Sequence, residues 1–124
     1  MPQDMDALTA FAGRHGLMLL EDGSHAHGAT WNSRPVGSFG HAAAFSLNGP
    51  KPLSAGEGGL VATDDTELYY RVLLHGQYNK RCRNEIPADH RLAPYAVTGM
   101  GLKLRIHPLA AALAHTQLPR LEGY

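Results

Sequence analysis

Two stretches of this chain gather the side chains that can do chemistry. The first is Glu21-Asp22-Gly23-Ser24-His25-Ala26-His27-Gly28-Ala29, which follows the apolar run Leu17-Met18-Leu19-Leu20. The second is Phe45-Ser46-Leu47-Asn48-Gly49-Pro50-Lys51-Pro52-Leu53, which leads into Gly56-Glu57-Gly58-Gly59. In each, an apolar run ends in polar groups and then in glycine. One offers a carboxylate and the other an amine. Asp22, at the end of a buried strand, lies where open α/β sheets bind ligands. Pro50 and Pro52 stiffen the backbone on both sides of Lys51. A lysine with a lowered pKa and a fixed approach can attack an aldehyde.

An acid that faces a ring nitrogen and an amine that condenses with an aldehyde are the two groups a pyridoxal-phosphate site most needs. Ser46, near a strand end, has a hydroxyl that can hydrogen-bond a phosphate oxygen with help from neighbouring backbone N–H groups. Each residue also has a plainer reading: Asp22 as a loop carboxylate, Lys51 as a solvated lysine, Ser46 as a serine bonding local backbone. His25 and His27 form a His-x-His pair, and in an extended segment both rings project to one side. That pair makes a metal-dependent hydrolase a rival. The remaining histidines, His15, His41, His75, His90, His107 and His115, show no His-Glu-x-x-His spacing. Gly99-Met100-Gly101 begins a dinucleotide-binding pattern but meets Leu104 where its last glycine belongs. Val36-Gly37-Ser38-Phe39-Gly40 lacks the first glycine of a nucleophile elbow.

The elements that must position these groups are legible in outline. The chain has 124 residues, 44% of them apolar, enough for one modest domain. Eleven basic and eleven acidic side chains cancel, which gives no electrostatic case for nucleic acid or membrane binding. The single cysteine, Cys82, excludes an intrachain disulfide, and its neighbours Arg81 and Arg83 could lower its pKa. No apolar run is long enough to span a membrane and no signal-peptide pattern is present, so a cytoplasmic location is expected. Residues 4–15 read as a helix capped by Asp4, with Met5, Leu8, Phe11 and Ala12 on one face and Gly16 as the stop. Residues 17–20, 42–47 and 60–63 read as strands, the first of the type buried in a parallel sheet. Residues 23–40 read as a loop with little regular structure. A helix from residue 64 has Asp64 as cap and Gly76 as its end, residues 77–100 read mostly as loop, and a last helix runs from Leu109 to Leu118 with Pro108 in its first turn. Three such strands leave unpaired edges, so the chain reads as the middle of a larger α/β domain.

The ordered motifs resemble the DegT/DnrJ/EryC1/StrS family of pyridoxal-phosphate-dependent sugar aminotransferases. The match runs through Glu21-Asp22-x-x-His25-Ala26-His27-Gly28-Ala29, Gly37-Ser38-x-Gly40, Phe45-Ser46-x-x-x-x-Lys51-x-Leu53, Gly56-Glu57-Gly58-Gly59 and Thr63-Asp64-Asp65. It continues through Gly101-x-x-x-Arg105 and the helix from Ala110 to Gln117-Leu118. The resemblance implies a three-layer α/β/α architecture, part of the large domain of a fold-type-I transferase. The N-terminal half of that domain and the small domain would lie outside residues 1–124. It implies that Asp22 pairs with the pyridine nitrogen, that His25 lies near the ring and its 3-hydroxyl, that Ser46 binds the phosphate and that Lys51 carries the cofactor. Lys103 stands where the family commonly has an asparagine that reaches a neighbouring subunit's cofactor phosphate. Some relatives have histidine at the lysine position and dehydrate sugars, so Lys51 argues for transamination. The reaction implied moves an amino group from an amino acid such as glutamate or glutamine to a keto-sugar, nucleotide-linked, in a homodimer. The 124 residues alone are expected to be inactive. The rivals from other classes are the His25/His27 hydrolase and a non-catalytic remnant that associates with a partner chain.

Overall fold

The computed structural model describes residues 3–76, 79–99 and 101–123. These pack as two compact units, Met1–Thr63 with Ile106–Tyr124, and Asp64–Arg105.

The first unit opens with α1, Met5–His15. Asp4 caps it by accepting the Ala7 N–H at 2.9 Å, and Gly16 closes it at φ 61°, a left-handed conformation that costs glycine little. Of its predicted apolar face, Met5 and Ala12 are buried while Leu8 and Phe11 are exposed. The strand that follows, β1, is Leu20–Asp22 rather than residues 17–20. The shift has a cause: the Leu17 N–H bonds the Ala12 carbonyl and so finishes the helix cap, and the Leu19 N–H is taken by His41 Nδ1. Leu17, Met18 and Leu20 are exposed, not buried on both faces.

The segment expected to be loop contains a small hairpin, β2 Thr30–Trp31 and β3 Arg34–Pro35. Asn32 and Ser33 turn it with φ of 47° and 64°, the two positive values a tight primed turn requires. Trp31 Nε1 and Asn32 Nδ2 both donate to Asp6 Oδ2, at 2.9 and 2.8 Å, which ties the hairpin to α1.

The sheet has the order β1-β4-β5, where β4 is Ala42–Ser46 and β5 is Gly59–Ala62. β4 runs parallel to β1, with Asp22 opposite Ala44, and antiparallel to β5, with Ser46 opposite Gly59. The polar ends of β1 and β4 therefore lie at the same end of the sheet. Among the described residues the outer strands β1 and β5 each pair on one side only. α5, Pro108–Gln117, continues into a 3-10 turn, Leu118–Gly123. Its Ala114 packs with Leu47, Leu53 and Ala55, flanked by Ala110 and Leu121.

The second unit corrects the loop expected over 77–100. It holds α2, Thr66–Gly76, then α3, Asn79–Glu85, and α4, Tyr95–Thr98, around Leu73, Cys82, Ile86 and Ala96. The Leu68 N–H is bound by Asp65 Oδ1 at 3.0 Å, so Asp65 rather than Asp64 caps α2. Cys82 is buried, and burial pushes its thiol pKa up, the reverse of what its arginine neighbours suggested. No helix among the described residues is long and apolar enough to cross a membrane.

One buried carboxylate fixes the loop that enters β4. Glu21 accepts the N–H groups of Gly37 at 2.6 Å, Phe39 at 2.7 Å and Gly40 at 2.6 Å. A glutamine has one acceptor oxygen, and its amino group would face donors. Glu21→Gln should therefore lower stability by about 3 kcal/mol, read from the denaturant midpoint; an unchanged midpoint would show that the loop holds itself.

Candidate active site

Asp22 closes β1 and Ser46 closes β4, so the parallel pairing alone delivers a carboxylate and a hydroxyl to one end of the sheet. The ladder continues one step further, as the Gly23 N–H bonds the Ala44 carbonyl at 2.8 Å. Phe45, between them, sets the spacing of the loops above. A β-carbon on Gly23 or on Gly37 would lie 2.5 Å from its ring, so both positions must stay bare for the ring to enter.

Lys51 follows Ser46 in a turn closed by its own N–H to the Asn48 carbonyl at 3.0 Å. Its Nζ lies 2.7 Å from His25 Nε2. Asp22 stands close enough to both that their charges favour its ionised form. The main cause of its lowered pKa is Ser24, whose hydroxyl and N–H hold the carboxyl below the usual carboxylate range; the N–H bond measures 3.0 Å. The Ser46 hydroxyl accepts the Asn48 N–H at 3.3 Å and donates to none of the described residues, which leaves its proton for a ligand.

The structure thus brings Asp22, His25 and Lys51 together, with Ser46 on the adjoining strand end. Lys103 belongs to the second unit, in the irregular segment 101–105, at φ 54°. The two histidines of the His-x-His pair part company. His25 is exposed and meets Lys51, whereas His27 packs its ring 5.5 Å from that of Phe45. Both ring nitrogens of His27 are buried without a hydrogen-bond partner among the described residues. Burial pushes its pKa below 6.5; the Ser46 backbone opposes this without reaching hydrogen-bond geometry. No group of three or more histidine, cysteine or acidic side chains among the described residues could hold a metal ion.

Two residues that matter to this geometry drew no functional reading from the sequence. Glu21 anchors the loop beside the site. Gln117 binds the chain just after Lys51, its Nε2 donating to the Ser54 carbonyl at 2.7 Å and its Oε1 accepting the Ser54 N–H at 3.2 Å. The polar strand end carried a signal for Glu21. For Gln117 the family match ran through its helix without a role for the side chain, whose partner lies 63 residues away.

Comparison with known proteins identifies the family. The sequence model of the DegT/DnrJ/EryC1/StrS aminotransferase family matches residues 1–124, and the chain belongs to that family. It is 53% identical over 122 residues to the L-glutamine:scyllo-inosose aminotransferase of Streptomyces griseus, covering 97% of this chain and 28% of that protein. The aminotransferase structure from Psychrobacter cryohalolentis superposes with a TM-score of 0.81 at 33% identity, over 99% of this chain and 32% of that one. The E. coli GDP-4-keto-6-deoxy-D-mannose-3-dehydratase with bound hydrated PLP superposes at 0.76 and 27% identity, over 98% of this chain and 33% of that one. The fold is therefore the α/β fold of the fold-type-I transferases, as the motifs implied. The chain spans less than a third of the length of the curated relatives it matches.

The half-buried His27, with both ring nitrogens out of solvent, generates a pH dependence. Its folded-state pKa is lowered, so below 6.5 the unfolded chain binds the extra proton first. The stability that a neutral His27 contributes is full above 6.5 and is lost as pH falls from there through the lower folded value. Denaturant midpoints measured at pH 7.5 and 5.5 should fall less in His27→Leu than in the unsubstituted protein; equal falls would mean that the ring titrates freely.

Proposed function

We propose that this chain is the lysine-bearing part of the large domain of a pyridoxal-phosphate-dependent aminotransferase. On this reading it moves an amino group from an amino acid, glutamine or glutamate, to a polyhydroxylated ring ketone. The observation that carries the reading is the convergence of Asp22, His25 and Lys51 at the shared end of two parallel strands. The donor set suits that cofactor: an ionised carboxylate for a ring nitrogen, an amine for an aldehyde, and a hydroxyl with an uncommitted proton for a phosphate oxygen. Bound pyridoxal phosphate supplies an electron sink for the carbanion formed at the amino-acid carbon.

The residues divide the remaining work. Asp22, kept ionised by Ser24, holds the proton on the ring nitrogen. Lys51 Nζ would be the point of covalent attachment and, once the incoming amino acid's nitrogen has displaced it and freed it as an amine, would be the base that carries the proton to and from the substrate carbon. His25, in contact with that nitrogen, orients it. Ser46 directs its hydroxyl to the phosphate, and Lys103 would add charge at a neighbouring subunit's phosphate in a homodimer. Glutamine as donor is supported by the names of several relatives, the inosose aminotransferases of Streptomyces. The acceptor is a keto-sugar in the nucleotide-linked form that a dTDP-amino-sugar transaminase of Streptomyces venezuelae suggests, at 35% identity. The 124 residues by themselves are not expected to turn over, because they span less than a third of the length of the relatives they match. A cytoplasmic location goes with this reading.

The metal-dependent hydrolase is not favoured, given the family and the separate surroundings of His25 and His27. The test is borohydride reduction of a preparation that also supplies the rest of the large domain, loaded with pyridoxal phosphate. Peptide mapping should place the pyridoxyl group on Lys51. A label on Lys80 or Lys103 instead would sink the assignment.

A further inference from the structure

Gln117 ends α5, and its side-chain amide reaches the backbone three residues beyond Lys51. Nε2 donates to the Ser54 carbonyl at 2.7 Å and to the Leu113 carbonyl at 3.0 Å, while Oε1 accepts the Ser54 N–H at 3.2 Å. Only this orientation of the amide works: reversed, the amino group would meet the Ser54 N–H and the oxygen would face two carbonyls.

The segment from Leu47 to Ala55 is a closed loop. The Ala55 N–H bonds the Leu47 carbonyl at 2.7 Å, and the Lys51 turn lies between. Leu47, Leu53 and Ala55 anchor it on Ala114 of α5. Apolar contact is non-directional and tolerates a small slide of the loop along the helix. A pair of opposed hydrogen bonds to one residue's backbone does not, because both lengthen and bend together. Gln117 thus clasps the returning limb of the loop at Ser54, three residues after Lys51.

We propose that Gln117 is a positioning residue for Lys51, acting through the Ser54 backbone. This rests on reading Lys51 as the attachment point of the cofactor. Gln117→Met keeps the length and helix preference of the side chain and removes both bonds to Ser54. In the complete, cofactor-supplied preparation, the Ser54 amide should exchange its hydrogen about tenfold faster in Gln117→Met, and pyridoxyl labelling of Lys51 should slow by a similar factor, as loss of two net hydrogen bonds implies. Labelling of Lys80 and Lys103 should not change, which separates a moved lysine from a protein that has merely lost its fold.

Gln117→Glu supplies the second comparison, and it holds if Gln117→Met does not fold. At neutral pH its carboxylate faces the Ser54 and Leu113 carbonyls and Lys51 labelling falls. Lower pH restores a donor, so the rate relative to the unsubstituted protein at the same pH recovers. Lys51 labelling at the unsubstituted rate in both variants would overturn the positioning role alone, whatever the Ser54 exchange does. Absence of label on Lys51 in the unsubstituted protein would overturn the attachment reading and the positioning role together.

Discussion

The Glu21 carboxylate is buried beside the sheet and accepts three backbone N–H groups from residues 37–40. A buried charge is tolerated only when its lone pairs are filled, and here the loop's own amides fill them. The consequence reaches in two directions. The loop enters β4, so its position sets where β4 begins beside β1. Gly37 lies in the same loop and forms one wall of the slot that admits Phe45, the residue before Ser46. Glu21 also immediately precedes Asp22, and strand alternation turns one side chain into the protein and the other outward. The buried carboxylate is thereby the structural partner of the exposed Asp22, the one proposed to face the cofactor.

Two loops meet above that end of the sheet, and each is held by polar contacts at its base. On the β1 side, Ser24 bonds back to Asp22 and the chain continues to His25. On the β4 side, the Leu47–Ala55 loop is closed on itself and clasped by Gln117. The tips, His25 and Lys51, touch each other at 2.7 Å. Fixing a loop at its base leaves its end accessible while limiting its travel, which is the condition the role proposed for Lys51 would need.

The placement of the candidate site was more legible in the sequence than the architecture around it. Asp22, His25, Ser46 and Lys51 were legible because each sits where an apolar run turns polar, a local signal. The helix caps at Asp4 and Gly16 were legible for the same reason. What failed depended on contacts that the local apolar pattern does not carry. The antiparallel direction of β5 has no trace in the run Leu60-Val61-Ala62. The start of β1 moved to Leu20 because the Leu17 N–H was needed by the preceding helix. The histidine pair looked like one ligand set, yet Phe45, far along the chain, draws His27 away from His25. α3 was missed because Asn79–Glu85 buries only Cys82, so its apolar periodicity is too thin to register.

The central claim is that Asp22 acts on a pyridine nitrogen held within reach of Lys51. It is tested most directly by the nitrogen itself. Pyridoxal phosphate labelled with nitrogen-15 in its ring, bound in a preparation that completes the large domain, reports protonation through its chemical shift. The account predicts a protonated ring at neutral pH in the unsubstituted protein and a neutral ring in Asp22→Ala. The same shift in both would contradict it and leave Asp22 as a carboxylate at a strand end.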